Sequence, residues 1–198
     1  MKKILLIIVL AVLWRTFYFI PTDKVIGSGV EAYGQPYQAS ASASGFKFGK
    51  YYLQPRADFM VQAKILSASR SYFDREARVS PLSLTLGWES MSDNAVLEQL
   101  DIWQEGRSYK WDAASLPIPK KEIEANSANV HLIPANDEIA EAFKRVRIGS
   151  LVTIEGMLVN VSDSTGWKWL TSTQRTDIGH GSDEIIYVTS ITEMNPYE

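Results

Sequence analysis

The sequence has no cysteine. That excludes disulfides, thiolate metal sites, cysteine nucleophiles and a lipid-modified N-terminal cysteine, and it leaves the compartment open. Excess charge is also missing: 20 Lys and Arg stand against 23 Asp and Glu, a formal net of −3. Nucleic-acid binding needs a basic face to neutralise phosphates, and none is visible. The densest basic run, Lys144, Arg145 and Arg147, sits where a helix is expected to end. No Gly-x-Ser-x-Gly elbow, phosphate-binding glycine loop or internal repeat occurs, and Gly27-Ser28-Gly29 reads as linker. With no catalytic or cofactor motif, no cofactor and no metal is expected. Function has to be sought in hydrophobic segments, fold and aromatic residues.

The N-terminus carries the longest hydrophobic stretch. MKKILLIIVLAVLW has two lysines and then an apolar run over 4–14, which Arg15 and Thr16 interrupt before 17–20 resume it. Residues 4–20 reach the lower limit of a ~17–25 residue membrane span. No small-x-small cleavage site follows closely, and ASASAS at 39–44 lies too far downstream. The expectation is an uncleaved single-pass anchor over 1–20 in an inner membrane. Arg15 snorkels to the headgroups, Trp14, Phe17, Tyr18 and Phe19 lie at the interface, and the C-terminal domain stands in the periplasm. A cleaved signal peptide or a buried helix are the alternatives. Residues 21–45, rich in glycine, serine and alanine without apolar periodicity, read as a flexible linker. The folded domain then covers 46–192, with a tail at 193–198.

Within that domain, ADFMVQAKILSASRS (57–71) alternates as a strand, with Phe59, Val61, Ala63 and Ile65 on one face and Asp58, Gln62 and Lys64 on the other. LDIWQEGRSYKW (100–111) reads as two short strands turning at Glu105-Gly106, and NVHLIP (129–134) as a strand stopped by proline. Residues 136–147 are the clearest helix. Asn136 can cap it, Asp137 and Glu138 suit its N-terminal dipole, and Ile139, Ala142, Phe143 and Val146 make one apolar face. The basic cluster falls in its last turn and Gly149 is placed to end it.

In GSLVTIEGMLVNV (149–161) the apolar phase switches near Gly156: Val152, Ile154 and Leu158 lie on one phase, Met157, Val159 and Val161 on the other. A glycine at such a switch marks a bulge or a sharp coil of the sheet. DSTG (163–166) is a turn, 167–172 the next strand and 184–191 the last. Between the first strand and the hairpin, short helices are expected from Ser80-Pro81 and from Ser92, although LSLTLGW also alternates as a strand. The fold class is mainly β with short helices (α+β). The element order, with one helix before the glycine-bent strand, is that of an OB-fold-like five-stranded coiled barrel.

Several blocks resemble a family of small bacterial envelope proteins with one N-terminal hydrophobic segment and no assigned activity. They are SPLSLTLGWESMSD (80–93), the Arg107-x-Tyr109-x-Trp111 pattern, SANVHLIPAND (127–137) and GWKWLTSTQRTDIGHGSDEIIYV (166–188). The resemblance covers most of 50–192 and implies bacterial origin and envelope placement, but no substrate or catalytic residue.

Few residues could carry chemistry. His131, in a strand, reads as a half-buried histidine bonded to a neighbour or as a residue facing a cleft. His180 lies in RTDIGHGSDE. There, Asp177, His180, Asp183 and Glu184 offer ligand types for a divalent ion, but their spacing fits no metal motif and a polar turn yields the same letters. Trp103, Tyr109, Trp111, Trp167 and Trp169 lie in or beside strands and form either core or a ligand platform. Together with His131, Arg175, Asp177 and His180 they are the candidate ligand-binding residues, and no catalytic residue is assigned. The expected function is a membrane-tethered binding module contacting another envelope protein. A periplasmic hydrolase using His131 or the His180 region, and a carbohydrate-binding module using Trp167 and Trp169, are the alternatives.

Overall fold

Alternation of apolar and polar residues builds most of the chain, of which the computed structural model describes residues 2–22, 29–174 and 184–194. Helix α1 (Lys2–Tyr18) is followed by β1 (Tyr37–Ser40), β2 (Phe46–Phe48) and the long β3 (Tyr51–Arg70). A 3-10 turn at Glu76–Arg78 leads to β4 (Leu82–Gly87). A second at Glu89–Ser92 and the one-turn helix α2 (Asn94–Leu97) lead to the hairpin β5 (Asp101–Glu105) and β6 (Ser108–Asp112). Then come α3 (Lys120–Ala125), β7 (Ser127–Pro134), α4 (Asp137–Arg145), β8 (Leu151–Asp163), β9 (Lys168–Trp169) and β10 (Glu184–Met194). The protein is mainly β with short helices.

Five strands close into a ring. β3 pairs antiparallel with β4 and β4 with β7; β7 runs parallel to β10; β10 pairs antiparallel with β8, and β8 returns to β3. The ring is filled by one phase of each strand: Phe59, Val61 and Ile65; Leu82, Leu84 and Leu86; Val130 and Leu132; Val152, Ile154 and Leu158; Ile186 and Val188. α4 adds Ile139 and Phe143 to the same core. Its Asn136 cap accepts the Ile139 N–H at 3.0 Å, as the sequence predicts. An Asn136→Ala substitution should cost about 1 kcal/mol, read as a lower midpoint in thermal denaturation.

The phase switch of β8 separates two cores. Val159 and Val161 pack outside the ring with Tyr51, Leu53, Ile133 and Ile185, and Trp167 and Trp169 lie against that cluster. Gly156 stands between the two phases, opposite Val188, and the bulge lies in the partner strand, between Val188 and Ser190 of β10. A Cβ on Gly156 would fall 2.0 Å from the Tyr187 carbonyl oxygen. The glycine is there because the bulged β10 backbone presses onto it.

Three expectations are revised. Residues 82–87 form a strand and not a helix begun at Ser80-Pro81, because Leu82, Leu84 and Leu86 alternate into the ring while Ser83 and Thr85 are buried on its outer face. The strand expected over 167–172 pairs only at Lys168–Trp169. Part of the expected linker is ordered. The Gly29 N–H donates to Asp93 Oδ1 (2.9 Å), the Glu31 and Ala32 N–H groups to Ser92 Oγ (3.0 and 2.9 Å), and β1 pairs with β3. Beneath this strap lies Lys64, 1% exposed, with Nζ 2.8 Å from Glu31 Oε2 and bonded to Asn94 Oδ1.

The expected single-pass anchor, and the inner-membrane and periplasmic placement resting on it, are also overturned. No helix among the described residues is long and apolar enough to cross a membrane. α1 has 17 residues, about 25 Å at ~1.5 Å per residue, against a hydrocarbon core of ~30 Å. Lys2, Lys3 and Arg15 fall within it, so its unbroken apolar run, 4–14, is shorter still. Its end is tied to the domain: the Arg70 guanidinium donates to Phe19 O (3.4 Å), Ile20 joins the ring core and Thr22 bridges to Ile148.

Candidate functional site

The site forms where four connections meet beside the outer core: the turn from β2 to β3, the 71–81 connection from β3 to β4, the β5–β6 turn that carries Arg107, and the turn from β8 to β9. Asp163 ends β8 and organises its own turn. Its Oδ1 accepts the Thr165 N–H (2.9 Å) and hydroxyl (2.6 Å), the local bonding that makes aspartate a turn former. β9 then returns along β8 with Trp169 opposite Val161. Trp167 and Trp169, two residues apart, share one face, with ring centroids 6.3 Å apart.

Each tryptophan carries a guanidinium. Arg75 lies 4.9 Å over the Trp167 ring and donates to Asp163 Oδ2 (2.8 Å) and to Thr165 Oγ1. Arg107 lies 5.4 Å over Trp169 and grips Asp74 with two bonds, Nε to Oδ2 (2.9 Å) and Nη2 to Oδ1 (2.6 Å). Beyond Trp167 lies Tyr51 at 6.1 Å, and His131 sits 5.0 Å from Trp169. The result is a strip of two indoles, each with one face under a cation, a pairing worth ~0.5–2 kcal/mol by exposure.

The two acids of the strip are held ionised. The Thr165 hydroxyl and the Arg75 guanidinium hold the Asp163 carboxyl well below the usual carboxylate range. The Arg107 bonds lower that of Asp74. Because these folded-state values are depressed, their contribution is present above the unfolded value of ~3.9 and is lost as pH falls through the folded ones. Denaturant melts should therefore show stability falling as pH drops below ~4, with a shallower fall in Asp163→Asn. Burial raises the phenol of Tyr109, whose OH lies 3.0 Å from Ser127 Oγ.

His131 is 1% exposed, and its Nδ1 lies 2.8 Å from Ser83 Oγ across β7 and β4. Ser83 is also 1% exposed. A serine and histidine in contact are chemically suggestive, but a nucleophile must reach its substrate, and this pair lies beneath the strip. Comparison of the chain with family models, with curated proteins and with solved structures finds no match. No relative therefore lends a ligand or an activity.

The other candidates separate. The β5–β6 hairpin lies across the outer face of β4 and β7: Gln104 donates to Thr85 Oγ1 (3.0 Å) and Asn129 Oδ1 (3.2 Å). Tyr109 and Trp111 are on its inward face, where Trp111 packs near Met91, Leu100 and Ile123. Trp103 is on the outward face, exposed. Trp167, Trp169 and His131 are brought together, while Trp103, Tyr109 and Trp111 belong to the hairpin. Arg175, Asp177 and His180 lie outside the described residues. Among the described residues, no three His, Asp or Glu side chains are grouped so as to hold a metal ion. Reasoning from the sequence missed Arg75 and Asp74, which sit in a loop without periodicity, and Lys50 and Arg78 beside them. Arg107 had a signal, its place in the Arg-x-Tyr-x-Trp pattern.

Proposed function

We propose that the chain is a non-catalytic recognition module on an OB-like barrel, binding another protein through the Trp167–Trp169 strip. The strand order of the ring, with α4 between its third and fourth strands, supports the OB-like reading, since five strands of an OB-fold are strung this way. The observation that carries the functional reading is the strip itself: two half-buried tryptophans side by side, each under an arginine, at a corner where loops meet. Tryptophan and arginine dominate the energetics of protein interfaces, because each offers large contact area with fixed polar donors. A hydrolase is disfavoured by the burial of Ser83 and His131. Sugar stacking on the indoles is disfavoured because guanidinium groups already lie over the ring faces.

The test is photo-crosslinking in cells from position 164. Ser164 is exposed and lines the cleft beside Trp167, whereas Lys168, between the two tryptophans, faces away from them. The proposal expects one dominant protein adduct, while an absence of protein adducts from the folded chain contradicts it.

A further inference from the structure

Beside Trp167 the strip opens into a cleft of about 350 Å³ lined by Lys50, Arg75, Arg78, Asp163, Ser164 and Thr165. Three cations from two separate connections converge there in a chain that is acidic overall. Asp163 offsets one of them, which leaves the cleft net positive. Arg75 spends one nitrogen, Nη2, on Asp163 and Thr165, and stacking on Trp167 fixes its plane. Lys50 Nζ lies 5.2 Å over the Tyr51 ring, and neither Lys50 nor the Arg78 side chain has an acidic partner among the described residues. Like charges gathered at one cleft repel each other, and an anion seated among them relieves that repulsion. We propose that this cleft takes an acidic segment of the partner protein, with one carboxylate on the free Arg78 fork and a second between Lys50 and the outer edge of Arg75.

Carboxylates fit better than a phosphate dianion for two reasons. The Asp163 carboxylate is inside the cleft, on Arg75, and would repel a doubly charged group seated beside it. Arg75 has also given Nη2 away, so its paired Nη1/Nη2 edge is not free for the bidentate grip that phosphate favours. Arg78 keeps its whole fork, and Lys50 is a point charge that suits a carboxylate at variable reach.

This inference rests on the reading of the corner as a protein-binding surface, and the experiment separates the two. The purified full chain is titrated at low salt with a hexaglutamate peptide, with inorganic phosphate and with a hexalysine control, following tryptophan fluorescence. Saturable binding of hexaglutamate is expected, weakened at least ~10-fold in the exposed double variant Lys50→Ser/Arg78→Ser, and by salt. Tighter binding of phosphate than of hexaglutamate overturns the assignment in favour of a phosphate ligand. Hexaglutamate binding that is absent, or unchanged in the double variant, overturns it outright. If the adduct from position 164 nevertheless persists in that variant, the recognition surface stands and only the acidic-segment assignment falls.

Discussion

Replacing Gly156 with valine should destabilise the chain by about 3 kcal/mol or more, the upper range for overpacking, and should separate β8 from β10 at the bulge. The reason is the position of a backbone atom, not of a flexible side chain. A Cβ at residue 156 meets the Tyr187 carbonyl oxygen at 2.0 Å, the Tyr187 carbonyl carbon at 2.9 Å and the Val188 Cα at 3.1 Å. No rotamer change relieves such a clash, so β10 must move away. β10 joins β7 to β8 in the ring, and its displacement opens the ring core at Ile186 and Val188. Even alanine should be poorly tolerated. Guanidinium denaturation of Gly156→Ala and Gly156→Val checks this, and wild-type midpoints would show that the strands are not pressed together there.

The second large effect is expected at Glu31. Substitution with alanine leaves the Lys64 ammonium, 1% exposed, without its carboxylate. Breaking a buried pair from one side typically costs ~3–5 kcal/mol. The Glu31 side chain is 24% exposed, so water can reach the vacated space, and the lower end, about 3 kcal/mol, is expected. Lys64 keeps Asn94 Oδ1 and, at 3.4 Å, Ser92 O. Glu31 also accepts from Asn94 Nδ2 at 2.7 Å, so its loss should free the strap as well as weaken the core. Hydrogen exchange should show faster exchange at Gly29, Glu31 and Ala32, whose N–H groups are bonded to Asp93 and Ser92. Lys64→Met with Glu31→Gln should be less harmful than Glu31→Ala alone, because a buried charge and its partner then leave together.

Much of the fold was legible because its signals are local. The Asn136 cap, the 3.6-residue stripe of α4, the alternation of β3, the DSTG turn and the glycine at the β8 phase switch are each encoded within a few residues. Other features were not. Lys64 read correctly as lying opposite Phe59 and Val61, but nothing nearby in the sequence says that this second face is covered, since its cover is Glu31 on a strap that composition alone reads as linker. The LSLTLGW stretch was ambiguous because proline opens strands and helices alike, and burial of both its faces settled it. Residues 4–20 make one span only if Arg15 snorkels; without that, the apolar run ends at Trp14 and is too short to cross a bilayer.

At the site, the pairing of Trp167 with Trp169 was visible in their spacing. Their arginines were not: Arg75 reaches Asp163 across 88 positions and Arg107 reaches Asp74 across 33, and a loop such as 71–81 gives no period from which to read direction. For the hairpin, alternation shows two faces, but only the apolar cluster of Met91, Leu100 and Ile123 beneath it decides that Trp111 packs and Trp103 does not.

If the corner around Trp167 recognises a protein, an in-cell photo-crosslink from position 164 should reveal it, run in parallel on the wild-type chain, on Arg75→Ser/Trp167→Ala, and from the outward hairpin position 103. One dominant protein adduct is expected from position 164, lost in the double variant while the chain remains folded, with no matching adduct from position 103. Equal yield in the double variant, or no adduct from position 164 in the wild-type chain, would show that this corner is not a recognition surface.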